Sequence, residues 1–433
     1  MVKLMKMKSY CKRFTSLFRE KSAQDGGLLP SGEKSVVNSQ EAALVSFSKK
    51  RARSVISIDS DVRVGIITSA AGVQTAMAST SLFLGFLDGF LKNKIDARLL
   101  AHSQRGAPQV EDGLLNSDVF LPAFLFGKYG KDYLRLVLGS ENFDYVISHG
   151  GYPDLFEEQA ELVYRTGAKH LLFSGESPIR WYPDLAKRDI FLNGVRENFD
   201  GVIVPSSYLK DFWVEAGFAE HEVYLTRQPV RSDFFPVGIG KPCNSVALYA
   251  GNLSHKEIDD LMDITILVKD KIPDFRLSIF ADAAKQRVDE VSQMINNKQL
   301  SNSIILEGSL SLQELAKKEG EANVLLLPRR KGEFSKAGFP NKVGEYLMSG
   351  TPLVCTDVGE IKDAIGEGSA VFVASGNIEA FAKAIVEVLS DRSRFMMMGE
   401  YGREWAMNNL DSAVVSKMLL DWMSTLQSGD GSD

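Results

Sequence analysis

Between residues 62 and 373 the chain repeats one unit: a short apolar run, a loop, then a stretch whose apolar positions recur at helical spacing. Such runs fall at 62–68, 96–100, 145–148, 170–173, 201–204 and 222–225, and again at 245–250, 275–280, 304–306, 324–327 and 352–355. Strands that alternate with helices lie parallel, because a parallel pair needs a long crossover and the helix supplies it. The fold class this dictates is α/β, built on parallel sheets. After residues 372–373 the chain reads as helical nearly to its end.

At 433 residues the chain exceeds what one ordinary core holds. The two series of strands are separated by a segment with Gly238, Gly240, Pro242 and few apolar anchors. Two Rossmann-like domains are therefore expected, at 61–236 and 245–402, with a linker at 237–244. The first opens with a strand, the small-residue loop Ser69, Ala70, Ala71, Gly72, and a buried helix over 82–91. No G-x-G-x-x-G accompanies that unit, which disfavours a dinucleotide dehydrogenase.

Residues 1–60 differ from the rest. Lys3, Lys6, Lys8, Lys12, Arg13, Arg19 and Lys21 stand against a lone Glu20, while Leu4, Met7, Phe14, Leu17 and Phe18 recur at roughly helical spacing. The segment reads either as a basic amphipathic helix for an anionic membrane surface or as a disordered basic tail. The chain holds no run of about 18 apolar residues and its start lacks the apolar core of a signal peptide. A cytoplasmic protein is expected, with peripheral contact at the membrane through the tail. Cys11, Cys243 and Cys355 are scattered without a C-x-x-C pair, which argues against a disulfide framework and a zinc site. A net charge of −6 is no footprint for nucleic acid.

The densest chemistry lies at residues 338–355. A loop with Gly338 and Pro340 delivers the chain into a short helix whose free N–H groups and positive dipole end favour a phosphate. Lys342 and Glu345 follow at i,i+3 on one face. The cation offsets phosphate charge, and the carboxylate can accept two hydrogen bonds from a ribose diol. Gly350, Thr351 and Pro352 end the helix and restart a strand.

From residue 193 onward the chain resembles the group 1 glycosyltransferases, retaining enzymes of family 4 type and GT-B fold. The resemblance implies two doubly wound domains facing across a cleft, with a final helix at 403–428 crossing back to the first domain. It also implies a hexosyltransferase-type enzyme that takes a sugar from a nucleotide diphosphate sugar. The family carries two glutamates in an E-x7-E spacing. Glu345 matches the second, which holds the donor ribose, whereas the first, which contacts the transferred sugar, falls at Ala337. A branch of the family carries the P-x-K-x-x-E-Y-L form seen here.

The same resemblance places other residues. Lys256 matches a lysine that binds the donor diphosphate, and Asn252 replaces its companion arginine. Arg329 and Arg330 could supply the missing charge or could be solvated loop residues, and Lys331 is a weaker candidate. Gly338, Phe339 and Asn341 fall in the donor sugar and phosphate loop, and backbone groups at Gly308 and Ser309 fall where the family grips the base. Glu360 is expected to cap or to face solvent, and Ile361 to pack. His149 aligns with a histidine near the transferred sugar, the catalytic candidate, or is structural. Glu176 either contacts acceptor or caps a turn. The histidines show no metal-ligand pairing, and no D-x-D motif is present. The expected reaction is metal-independent and uses no cofactor beyond the donor itself, with a glycan, lipid-linked or protein acceptor. A GT-B nucleotide-sugar epimerase and a non-catalytic GT-B partner subunit are the rival readings.

Overall fold

The computed structural model describes residues 61–69, 78–102, 119–122, 137–138, 141–149, 163, 166–237, 245–253, 255–281 and 283–426. The basic tail 1–60 and residues 238–244 of the expected linker lie outside the described residues.

The first sheet has the order β3-β2-β1-β4-β5-β6-β7. Its strands are β1 (Arg63–Ser69), β2 (Asp96–His102), β3 (Phe120–Pro122), β4 (Tyr145–His149), β5 (Lys169–Phe173), β6 (Gly201–Val204) and β7 (Val223–Leu225). The second sheet has the order β10-β9-β8-β11-β12-β13. It is built from β8 (Val246–Ala250), β9 (Arg276–Phe280), β10 (Ile304–Glu307), β11 (Val324–Leu327), β12 (Leu353–Asp357) and β13 (Val371–Ala374). All pairings are parallel, with Ile66 opposite Leu99 and Ile147 in the first sheet and Leu248 opposite Ser278 and Leu325 in the second. β6 and β11 are buried along their whole length, which is why they read as unbroken apolar runs rather than as alternating ones. β3 escaped the sequence reading because it is three residues long, ends in Pro122 and pairs only at the sheet edge.

The helix Ala78–Lys92 is apolar nearly all round because both its sides are covered. Leu82, Phe83, Phe86 and Phe90 share one buried cluster with Val64, Ile66 and Leu99 of the sheet and with Val415, Leu419 and Met423 of the helix Ser412–Thr425. The chain's last described helix thus completes the first domain's core. Tyr145 Oη donates to the Met423 carbonyl at 3.1 Å, and Trp422 Nε1 donates to the His221 carbonyl at 2.8 Å while its ring stacks on Tyr224.

The single helix expected over 403–428 is instead parts of two, Arg392–Asn409 and Ser412–Thr425. The break has a local cause. Val230 N–H donates to the Leu410 carbonyl at 2.7 Å, Ser412 N–H donates to the Val230 carbonyl at 2.9 Å, and the Asp411 carboxylate caps the second helix at Ala413. Before the break, Arg392–Asn409 packs on the helix Asn341–Met348 of the second domain. Among the described residues no helix is long and apolar enough to cross a membrane.

The closest approach in this packing is at Gly89, where an added Cβ would lie 1.9 Å from the Ser412 carbonyl oxygen and 2.2 Å from Ser416 Oγ. Gly194, inside the helix Leu185–Asn198, has nothing within 4 Å of such an atom. Gly89→Ala is expected to lower the urea midpoint by an amount worth about 1–3 kcal/mol of overpacking. Gly194→Ala is expected to raise stability by up to about 1 kcal/mol. A neutral Gly89→Ala would show that the two helices do not meet at backbone distance.

Candidate functional site

Strand order reverses between β1 and β4 in the first sheet and between β8 and β11 in the second. Ligands of such sheets bind where the order reverses, beyond the carboxyl ends of the strands. His149 ends β4, Gly251 and Asn252 follow β8, and Arg329 stands just past the end of β11. The two domains touch through loops and helix starts at these same edges.

The helix Asn341–Met348 begins after Pro340, whose φ of −68° suits a helix entry, and no side chain caps it. A helix start without such a cap is of the kind that favours an anion. Gly350 follows in the left-handed region, at φ 69°, where an L side chain would be strained, so the helix stops and β12 begins. Lys342 Nζ pairs with Glu345 Oε2 and lies 3.5 Å from Glu319 Oε1, an ion pair too long and ill directed for a hydrogen bond. The other Glu345 oxygen accepts a hydrogen bond from Ser81 Oγ at 2.6 Å, across the domain boundary. Glu319 is only 1% exposed, and burial pushes its carboxyl up. Burial also works against the Lys342 charge, but Glu345 and then Glu319 outweigh it and raise the ammonium above its usual range. Behind this group, Tyr346 Oη accepts from Ala250 N–H at 2.7 Å, which ties the helix to the carboxyl end of β8.

The adjacent arginines have opposite fates. Arg330 makes a two-pronged pair with the Asp260 carboxylate, its Nε at 2.7 Å, on the helix His255–Lys269. Arg329 is 8% exposed, and among the described residues no carboxylate comes within ion-pairing distance of it. Burial depresses its pKa, against the pull of Glu257 and Tyr249. Its guanidinium lies 4.8 Å from the centre of the Phe334 ring, and its carbonyl is fixed by Thr356 Oγ1 at 2.7 Å and Ser375 Oγ at 3.1 Å. Lys331 is exposed, with its N–H donating to Ser375 Oγ.

Lys256 falls in the first turn of His255–Lys269, directly after the β8 turn. Gly308 and Ser309 form an open, exposed loop past β10. Gly338 donates its N–H to the Phe334 carbonyl, and Asn341 opens the helix. The Phe339 side chain is buried in the second domain's core under the Arg227 guanidinium, so only its backbone can serve a ligand.

Ala337 lies against the first domain, in one buried cluster with Leu209 and Trp213. Its carbonyl accepts from Ser206 Oγ at 2.6 Å, the same hydroxyl that caps the helix Ser207–Glu215. A glutamate there would bury its charge in an apolar contact, which gives the departure from E-x7-E a physical reason. Glu360, expected to cap or face solvent, instead bridges the domains. It pairs with Arg227 and accepts from Ser207 N–H at 3.1 Å. Ile361 packs in the core.

On the opposite wall, His149 sits between Phe83 at 4.9 Å and Phe173 at 6.3 Å, with a buried Nδ1 that has no partner. Burial holds its imidazole at about 4, so it is neutral near pH 7. Its neighbour His170 bonds to Ser148 Oγ at 2.7 Å and stacks on Phe199. Glu176 pairs with Arg180 at 3.3 Å. Sequence reasoning missed Ser81, Glu319 and Arg227, each engaged through its partner rather than through a motif, whereas the strand-end serine before residue 207 is legible as a helix cap. Among the described residues no cluster of three or more His, Cys, Asp or Glu could hold a metal ion.

A model of the family Glycosyl transferases group 1 matches residues 244–391, the second domain. No curated protein matches the chain. Among solved structures, HepE of Anabaena in complex with UDP and glucose is similar at a TM-score of 0.62 and 12% identity, covering 84% of this chain and 100% of that one. Sucrose-phosphate synthase of Thermosynechococcus elongatus is similar at a TM-score of 0.65 and 14% identity, over 85% of this chain and 100% of that one. A glycosyltransferase of Rickettsia africae gives 0.60 and 16%, over 85% and 99%. The architecture is that of the GT-B fold: two parallel-sheet α/β domains, the second matching a group 1 glycosyltransferase domain.

The histidines make a pH prediction. His149 titrates near 4 and His170 near 3 in the folded chain, both because of burial, against 6.5 for an exposed imidazole. Between these values and pH 6.5 the unfolded chain binds more protons, so acid favours unfolding and stability falls as pH drops below 6.5. At pH 5 each group costs about 2 kcal/mol. His149→Gln should remove that share of the loss between pH 7 and pH 5 in urea titrations. An unchanged loss would place the imidazole in solvent.

Proposed function

We propose that this chain is a glycosyltransferase that moves a sugar from a nucleoside diphosphate donor to an acceptor hydroxyl, with retention and without a metal. The observation that carries the reading is the helix Asn341–Met348. Its uncapped start lies at the sheet's ligand edge, it bears Glu345 and Lys342 on one face, and it falls within the family match. Glu345 takes the ribose diol, exchanging the Ser81 hydroxyl for the ligand. Lys342, held by two carboxylates, fixes the orientation of Glu345 more than it contacts phosphate.

The diphosphate then falls to Arg329, Lys256 and the helix start. Arg329 suits this because it is a buried cation with no carboxylate of its own among the described residues. In the transfer the acceptor oxygen bonds to the anomeric carbon as the bond from that carbon to the diphosphate breaks. The acceptor proton passes to the departing diphosphate on the same face, and the cations stabilise the charge that develops there. The UDP in the HepE complexes makes uridine nucleotides the first donors to test. The acceptor is a glycan, a lipid-linked sugar or a protein, and the basic tail would bring the cytoplasmic enzyme to an anionic membrane surface.

A second reading, a GT-B subunit that binds without transferring, is favoured by the apolar burial of Ala337 where the family carries a carboxylate. It predicts UDP binding without turnover of any nucleotide sugar. Titration calorimetry with UDP and with uridine tests the donor site itself. Glu345→Ala should weaken both ligands by roughly 1.5–3 kcal/mol, ten- to a hundredfold. Arg329→Gln should weaken UDP to a similar degree and leave uridine unchanged. Lys317→Ala, an exposed charge, should alter neither. Wild-type affinity for UDP in folded Glu345→Ala and Arg329→Gln would move the donor site elsewhere.

A further inference from the structure

A cavity of about 300 Å³ opens between the domains, walled by Gly175, Glu176, Ser177, Ile179 and Arg180 on one side and by Glu333, Phe334, Ala337 and Gly338 on the other. The first wall follows the carboxyl end of β5, and the second runs straight into the helix Asn341–Met348. A molecule lodged there is continuous with the donor end of that helix, on the side that the first domain closes.

The chemistry of the walls restricts what can lodge. Their polar side chains are already engaged with the protein: Glu176 with Arg180 at 3.3 Å, Ser177 Oγ with Ile179 N–H at 3.3 Å, and Glu333 with Tyr208 Oη. What they leave to a ligand is the exposed Ile179, the part of the Phe334 ring that stays exposed and two glycine backbones, while Ala337 forms the buried floor. Phe334 is 55% exposed, an unusual state for a phenylalanine in a helix, and Ile179 and Trp181 are exposed beside it. Two guanidinium groups lie near the ring centre, Arg329 of its own domain at 4.8 Å and Arg180 of the other at 5.3 Å. An apolar slot is thus lined from both domains.

We propose that this cavity is the acceptor subsite and that it takes an acceptor carrying an apolar aglycone, aryl or alkyl, beside its reactive hydroxyl. The assignment rests on the glycosyltransferase reading, since the cavity is an acceptor site only if the helix Asn341–Met348 holds a donor. A purely polar glycan would leave the slot's apolar surface in water, whereas an apolar group gains roughly 25 cal/mol for each Å² it buries.

Matched glycosides with UDP at saturation test this by ligand-observed NMR titration: methyl, phenyl and octyl β-D-glucoside, the last below its micelle-forming concentration. The phenyl or the octyl compound should bind at least tenfold more tightly than the methyl one. Preference for phenyl alone assigns an aromatic acceptor, and preference for octyl alone a lipid-linked one. Ile179→Ser and Phe334→Ala should each abolish the preference, with UDP affinity retained in Ile179→Ser. Equal affinity for the three glycosides, or a preference that survives both substitutions, overturns the assignment. Failure of the wild-type protein to bind UDP would remove the donor reading, and the aglycone preference is scored separately from it.

Discussion

Lys342 between Glu319 and Glu345 is the interaction on which the proposed donor side depends. One ammonium and two acid side chains share a largely buried site, so removing Lys342 strands carboxylate charge, whereas losing either acid leaves the ammonium paired with the other. The arrangement fixes the direction of the Glu345 carboxylate to within the reach of the Ser81 hydroxyl on the other domain. It also sets the start of the helix Asn341–Met348, because the lysine belongs to its first turn and the glutamate to its second. A carboxylate aimed by a half-buried cation could select a diol, whereas a solvated one would accept from water equally well.

The domains are joined by more than a linker. Ser412–Thr425 fills the core of the first domain while Arg392–Asn409 packs on the second, so the chain crosses twice, near residues 237–244 and at Leu410–Asp411. Any change in their separation must be absorbed at those crossings. Across the cleft, Glu360 with Arg227, Ser206 with the Ala337 carbonyl, Tyr208 with Glu333, and Ser81 with Glu345 all break if the domains part. The exposed pairs among them are individually weak, and nucleotide binding has only to outweigh their sum to alter the cleft.

The strands were legible in the sequence because burial on both faces turns a parallel strand into an unbroken apolar run, and β3 was not, being short and at the edge. The helix Asn341–Met348 was legible from Gly338 and Pro340 before it and Gly350 after it. The pairing of residues was not. Arg329 and Arg330 are equivalent in a sequence, yet neighbours in extended chain point to opposite sides, so one faces Phe334 and the other Asp260. Glu319 lies in a strongly polar helical segment, and nothing local reveals that its face is the buried one. Glu360 looked like a surface charge because its partners, Ser207 and Arg227, are more than a hundred residues away.

The two walls of the cleft end up electrically unlike. On the second domain stand a buried guanidinium that no carboxylate among the described residues pairs with and a helix start without a side-chain cap, both suited to anionic oxygens. On the first, His149 is kept neutral by its burial between Phe83 and Phe173, so it adds no charge to that field near pH 7. A neutral imidazole could offer a bound sugar one directed hydrogen bond only through its other ring nitrogen, because Nδ1 is buried. On the proposed reading, charge stabilisation and hydroxyl recognition would be divided between the domains. The reacting bond would form where the two meet, with the Phe334 slot beside it excluding water from that side.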